Sequence, residues 1–328
     1  MHPERSVRHR ARPAGARLMR RKQSTITLLI ILTLVLISMG IVLSYGPDAG
    51  SAIDRLYQAV GLSGTPAPID ARLSVHFIDV GQGDSILIQT AGQNVLIDAG
   101  DPDHAETVVD YLFSQGVKRI DLLAATHPHA DHIGGMADVL REFPVDKVLF
   151  SEVPGEILPT TRTYEILLDT IADKGLRITR AKTGMQYALG DGAVLTLLGP
   201  VEHDQEELND TSLVFRLDYG ETTFLFTGDA EKESENSLLE AYDAGELRAD
   251  VLKLGHHGSS TSSQAKFLRA VNPSAAVASC GYENSYGHPH AEILRRLDSF
   301  GIMLYRTDRD GTVVFCSDGV SLEVLTEK

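Results

Sequence analysis

The chain has 328 residues and a formal net charge of −15. This acidic excess repels polyanions through the summed field and counts against broad electrostatic binding to nucleic acid. Its only cysteines, Cys280 and Cys316, lie in apolar strand contexts, so they read as buried thiols and exclude a disulfide framework.

The elements follow in chain order. Residues 1–25 are a basic tail, with net +7 over residues 1–22, which leaves about −22 on the remainder. Residues 26–45 carry no charge and reach the roughly 20-residue length that spans a bilayer core. They predict a transmembrane anchor, and the basic flank predicts a cytoplasmic N-terminus by the positive-inside rule. On this reading the protein is a single-pass cell-membrane protein whose later part is extracellular; a cleaved signal peptide is the rival. Residues 46–70 read as a linker with a short helical piece near 53–60, and 71–328 as one large folded domain.

Within that domain, 73–79 alternates into the Gly-rich turn 80–84, and strands 85–89 and 94–97 continue a run of hairpins. A helix is expected over 104–115, where Val108, Val109, Leu112 and Phe113 fall at helical spacing, then a buried strand over 120–126. Helix 136–142, strand 146–150, helix 161–174 and strand 177–181 follow. The second half reads as strand 193–198, a hairpin of 213–219 with 222–227, helix 231–242, strand 250–254, helix 262–271, strand 275–279, helix 290–299 and strand 302–305. A hairpin of 312–316 with 320–325, turning at 317–319, closes the chain. Two halves that each mix hairpins with αβ units suit an α/β protein of two sheets packed face to face with helices outside.

The chemistry concentrates at strand ends. Residues 126–135 read Thr-His-Pro-His-Ala-Asp-His-Ile-Gly-Gly, so His127, His129, Asp131 and His132 offer three imidazoles and a carboxylate on one strand-to-helix loop. Imidazole suits zinc and its transition-metal neighbours, and carboxylate adds a hard oxygen ligand. Asp229, in Thr227-Gly-Asp229, ends another strand, where a carboxylate can bridge two metals about 3.5–4 Å apart. His256 and His257 follow the buried strand Leu252-Lys-Leu254, and His288 precedes Pro289, which restricts its backbone. One of His256 and His257 completes a metal and the other faces substrate as donor or general acid; the residues alone do not say which, and His256 is taken as ligand. His290 reads as a surface or helix-cap residue.

The His-x-His-x-Asp-His run resembles the metal-binding motif of the metallo-β-lactamase fold. Asp-Val-Gly-Gln-Gly-Asp-Ser (79–85), Asn-Asp-Thr-Ser-Leu-Val (209–214), Thr-Gly-Asp (227–229), Gly-His-His-Gly-Ser (255–259) and Gly-His-Pro (287–289) narrow the resemblance to the extracellular domain of competence proteins of the ComEC/Rec2 type. It implies a four-layer αββα sandwich holding two divalent metal ions, zinc or manganese. It further implies His127, His129 and His256 on one metal, Asp131, His132 and His288 on the other, and Asp229 as the bridge. Asp131 and His257 are then the catalytic candidates, and Asp98 orients the metal loop. Many relatives carry a ligand His where this chain has Asn209-Asp210, so either residue, or His256, must take that place. The implied activity is metal-dependent hydrolysis of a phosphodiester, DNA or a wall polymer of the phosphocholine-bearing kind. Lactam hydrolysis and a metal-containing binding module without turnover are the alternatives, and the many membrane spans of the competence proteins are missing here.

Overall fold

The computed structural model describes residues 72–201 and 205–328. The strands in chain order are β1 (Leu73–Phe77), β2 (Ile86–Thr90), β3 (Asn94–Ile97), β4 (Leu122–Ala125), β5 (Val148–Phe150), β6 (Ile178–Arg180), β7 (Gln186–Ala188), β8 (Val194–Gly199), β9 (Val214–Tyr219), β10 (Thr222–Phe226), β11 (Val251–Lys253), β12 (Ala275–Ala278), β13 (Met303–Arg306), β14 (Val313–Ser317) and β15 (Leu322–Thr326). They form an eight-stranded sheet in the order β15-β14-β1-β2-β3-β4-β5-β6 and a seven-stranded sheet in the order β13-β12-β11-β10-β9-β8-β7. In each, antiparallel hairpins give way to parallel strands carrying helical crossovers: β3, β4 and β5 are parallel in the first, and β10, β11, β12 and β13 in the second.

Side-chain alternation explains the layering, since successive residues of a strand face opposite sides. Val75 and Phe77 of β1 and Phe224 and Phe226 of β10 point into an apolar layer between the sheets. There Phe77 lies 5.9 Å from Phe315 and 6.1 Å from Phe226, ring centre to ring centre. Leu87 and Leu96 face the other way, against Val108, Val109 and Leu112 of the helix Ala105–Ser114. On the far side Leu225 and Leu252 meet Phe267 and Leu268 of the helix Ala265–Val271 and Leu297 of the helix Ala291–Phe300. Three apolar layers between four structural ones make the expected αββα sandwich. Cys280 and Cys316 are buried free thiols, as expected. Strand β7 and the one-turn helices Ala244–Leu247 and Thr307–Asp310 were not anticipated; each is too short to show a period in sequence.

The expectation of a single-pass membrane protein with an extracellular domain is corrected. Among the described residues no helix is long and apolar enough to cross a membrane. The tail 1–25, the apolar segment 26–45 and the linker 46–70 lie outside the described residues, as does His203.

Two buried polar features sit within this packing. His76 of β1 faces the helix layer, where its ring lies 2.8 Å from Tyr111 Oη and 2.8 Å from Ser74 Oγ. Burial lowers its pKa from 6.5 to about 3. Lys253, at the end of β11, is fully buried, and its Nζ lies 2.8 Å from Asp84 Oδ2 on the turn between β1 and β2. It also donates to the Leu254 carbonyl at 2.8 Å. This ion pair ties one sheet to the other beneath the site described next.

Two tests follow from these features. Lys253→Met should lower unfolding free energy by about 3–5 kcal/mol, because buried Asp84 loses its lysine and keeps only the His257 ring beside it, and Asp84→Asn/Lys253→Met should recover part of the loss. Urea midpoints check this, and a single variant as stable as the parent refutes the tie. For His76 the folded pKa lies below the unfolded one, so its contribution is present above pH 6.5 and lost as pH falls towards 3. Relative to the parent, His76→Gln should lose about 3 kcal/mol less stability between pH 7 and 4.5. Unfolding curves at the two pH values measure the difference.

Candidate metal centre

The loop after β4 is clamped from both sides. The Asp98 carboxylate, at the end of β3, accepts from Thr126 N at 2.8 Å and Thr126 Oγ1 at 2.6 Å, which fixes the entry to His127. A one-turn helix, Ala130–Ile133, then carries Asp131 and His132. A Cβ on Gly134 would stand 2.3 Å from Pro102 N, so only glycine lets the loop leave so close to the neighbouring backbone. Gly83, with φ +141°, permits an equally close approach: its Cβ would meet the Asp131 carbonyl at 2.3 Å, and Asp84 N donates to that same oxygen at 3.1 Å.

The second sheet brings the remaining donors. Asp229 follows β10, and its backbone N–H donates to Ser212 Oγ at 3.0 Å. His256 and His257 both adopt left-handed backbone angles, φ 47° and 56°. Such angles are uncommon for residues other than glycine and mark a site held by its surroundings. The two rings part there: the His257 side chain is 1% exposed and the His256 side chain 25%.

Four imidazoles surround one carboxylate oxygen. From Asp229 Oδ2, His132 Nε2 lies at 3.3 Å, His257 Nε2 at 3.4 Å, His256 Nε2 at 3.9 Å and His127 Nε2 at 4.0 Å. His129 Nδ1 lies 2.9 Å from His127 Nε2, and Asp131 Oδ2 lies 3.2 Å from His257 Nε2. The outer ring nitrogens have their own partners. His132 Nδ1 meets Asp98 Oδ2 at 2.8 Å, His257 Nδ1 meets the Ser279 carbonyl at 2.9 Å, and His256 Nδ1 meets Glu231 Oε1 at 2.8 Å. Each partner is an oxygen acceptor, which assigns the outer N–H and turns the Nε2 lone pair inward, the orientation that metal-ligating histidines show.

Lone pairs aimed at carboxylates repel unless a cation or protons lie between them. The titration behaviour expresses this. Burial lowers the pKa values of His132 and His257, but the Asp229 carboxylate, joined by Asp98 and Asp131 at His132 and by Asp84 at His257, outweighs burial and lifts both well above 6.5. Burial would raise Asp229, yet His257 and His132 hold it well below the usual carboxylate range. Asp84 is likewise lowered against burial, chiefly by Lys253. His127, buried and beside His132, is pushed well below 6.5, and burial brings His288 down to about 4. Asp229 Oδ1 and His132 Nε2 are buried without any hydrogen-bond partner. A nest of carboxylates and inward imidazole lone pairs with orphaned donor atoms fits a divalent cation. Ligand atoms of Asp84, His132, Asp229 and His257 all lie within 4.8 Å of one another.

The seven expected ligands lie in this region in two groups. His127, His129, Asp131, His132 and His256, joined by the expected catalytic residue His257, surround Asp229. His288 stands to one side, its ring 5.3 Å from His256 and 6.1 Å from His257, and lines an open cavity of about 220 Å³ with Gln82, His129, Asp131 and Tyr286. Asn209 and Asp210 turn towards Glu231: Asn209 Nδ2 donates to Glu231 Oε1 at 3.0 Å, and Asp210 Oδ1 accepts from Glu231 N at 3.3 Å. His290 is the N-cap residue of the helix Ala291–Phe300, in keeping with its expected cap position. Sequence reasoning missed Asp84, Lys253 and Glu231. A lysine inside the apolar run Leu252-Lys-Leu254 was the readable signal, because a buried lysine needs an acidic partner.

The chain is 31% identical over 259 residues to ComE operon protein 3 of Bacillus subtilis, covering 74% of this chain and 32% of that protein. It is 37% identical over 240 residues to Competence protein ComA of Neisseria gonorrhoeae, covering 72% and 31%, and 28% identical over 244 residues to Recombination protein 2 of Haemophilus influenzae, covering 73% and 28%. The match thus spans about a third of each relative. Residues 78–282 match the Metallo-beta-lactamase superfamily, and with the two-sheet sandwich and its His/Asp nest this chain belongs to that superfamily.

Proposed function

We propose that the protein is a metal-dependent hydrolase of phosphodiesters that works with two divalent cations. The observation that carries this reading is the single carboxylate oxygen of Asp229 set among four inward imidazole nitrogens at 3.3–4.0 Å. His127, His129 and His256 would hold one cation, and Asp131, His132 and His257 the other, with Asp229 shared. His256 thereby fills the place that Asn209 leaves without a histidine. The geometry supports exchanging the expected roles of His257 and His288. The His257 side chain is 1% exposed, and the Ser279 carbonyl on its Nδ1 turns Nε2 towards Asp229 and Asp131, whereas His288 stands further from Asp229 with a buried Nδ1 that has no partner. When bound, zinc or manganese in such a nest acidifies a water and offsets charge developing on a phosphoryl oxygen.

The chain's own residues do the rest. Asp98, Glu231 and the Ser279 carbonyl hold the ring tautomers, and the Asp84–Lys253 pair supports His257 from behind, Asp84 Oδ1 lying 3.1 Å from its Nδ1. His288, kept neutral by burial, is placed to hydrogen-bond substrate. The competence-type relatives support a phosphodiester over a lactam. The net charge of −15 favours a small or wall-bound ester over long nucleic acid, which needs a basic face.

Bis-p-nitrophenyl phosphate and single-stranded DNA, with added zinc or manganese, test the reading in the full chain. Asp229→Ala should lose about a hundredfold or more of turnover and part of the bound metal while keeping the fold. Full activity in that variant would refute the two-cation scheme. Asp98→Ala should weaken metal affinity about 10–100-fold, measured by competition with a chromogenic chelator, because it frees the His132 ring.

A further inference from the structure

Two residues of the turn between β1 and β2, Gly83 and Asp84, support the nest from behind. Gln82, just before them, holds no cation in the proposed scheme. Its side chain nevertheless lines the cavity of about 220 Å³, together with Asp131, Asp229, His257 and His288.

The turn is wedged between its neighbours. Gly81, with φ +67°, lies against the His104 ring, and a Cβ there would stand 2.8 Å from His104 Cε1. Gly281 presses on Gln82 itself, since a Cβ on Gly281 would stand 3.0 Å from Gln82 N. Glycine at 81 and 83 supplies the positive φ that a residue with a Cβ adopts only at a cost. Backbone held by such contacts has little room to shift.

The amide is oriented as well as placed. Gly281 N donates to Gln82 Oε1 at 3.2 Å. A backbone N–H can only donate, so the oxygen end of the amide faces Gly281 and the Nε2 end faces away. Gly281 is fixed in turn. Cys280 N, one residue earlier, donates to Thr307 Oγ1 at 2.9 Å, and Asn284 Nδ2 donates to the Gly281 carbonyl at 2.9 Å. Among the described residues Nε2 has no hydrogen-bond partner, so both its N–H groups are available to a ligand.

The charge of the lining gives that amide a use. Asp131 and Asp229 line the cavity, and no lysine or arginine does. Cations held by the nest would offset charge on the side of a substrate that faces them. An oxygen turned towards the cavity wall would meet only carboxylates and neutral groups. A fixed neutral donor stabilises such an oxygen, and as a preorganised dipole it needs no reorganisation when charge develops.

We infer that Gln82 is a catalytic residue of the hydrolase: its Nε2 donates to the substrate oxygen that gains negative charge as the ester is attacked. The inference rests on the phosphodiesterase reading and adds to it a donor that the metal ligands do not supply.

Two variants separate the donor from the tether to Gly281. Gln82→Glu keeps an oxygen for the Gly281 N–H and loses the donor; Gln82→Met loses both and adds no charge. In zinc-loaded full-length protein each should lower kcat on bis-p-nitrophenyl phosphate about a hundredfold with KM little changed, as expected when an interaction made only in the transition state is removed. Bound zinc and the urea midpoint should match the parent's. Sodium orthovanadate, which takes up the five-coordinate form of phosphoryl transfer, serves as a probe independent of turnover. Titrated calorimetrically into the zinc-loaded protein, it should bind both variants about a hundredfold more weakly than the parent. A kcat or vanadate affinity near the parent's in either variant would overturn the proposal, and activity kept by Gln82→Glu alone would reduce Gln82 to a tether. Loss of zinc in step with activity, a change confined to KM, or a parent that does not bind vanadate would overturn it as well. Vanadate binding that depends on Gln82, in a parent that cleaves no phosphodiester, would sink the phosphodiesterase reading and leave the donor standing.

Discussion

The centre is organised by the burial of more carboxylate than the protein can neutralise with its own fixed cations. Asp84, Asp98 and Asp229 are fully or nearly fully buried in one region, and Lys253 is the one lysine buried with them among the described residues. Lys253 answers Asp84. The remaining charge falls on imidazoles, whose protonation a divalent cation can replace. Loop entry angles, glycine contacts and strained backbone all serve to keep this unstable arrangement in place. Hydrophobic burial in the three apolar layers must supply the stability that such a site consumes.

The fold places the carboxylates where strands end. Parallel strands β3 and β4 deliver Asp98 and the His127–His132 loop, and parallel strands β10 and β11 deliver Asp229 and the His256–His257 turn. In open α/β sheets the carboxyl ends of parallel strands are where ligand-binding loops gather. Here two sheets present such ends to one point.

Much of this was legible in the sequence because it was local. The His127–His132 loop packs four ligand types into six residues, and period-2 runs such as Val75–Phe77 marked the inner strands. What local pattern does not carry is direction. Adjacent His256 and His257 are equivalent in sequence, and the left-handed turn between Gly255 and Gly258, both closely packed against neighbouring chain, decides which ring goes inward. Likewise Asp84 was visible as part of a Gly-rich motif, but its partner Lys253 lies 169 positions away on the other sheet. The Asn209 position shows the same limit: its departure from the family's histidine was plain, and the histidine positioned near its place came from a different strand.

The pairing of the two sheets at one site has a consequence for how the chain matures. Neither half owns the whole nest: His127–His132 follow a strand of the first sheet, and Asp229, His256 and His257 follow strands of the second. A nascent or nicked chain with only one half assembled would offer a weak chelate, so tight metal capture would report that the halves have docked. By mass action a bound cation would then hold them together, adding about 2.7 kcal/mol at a free concentration one hundred times its dissociation constant. On the proposed reading, metal supply would act on the lifetime of the folded protein as well as on its chemistry.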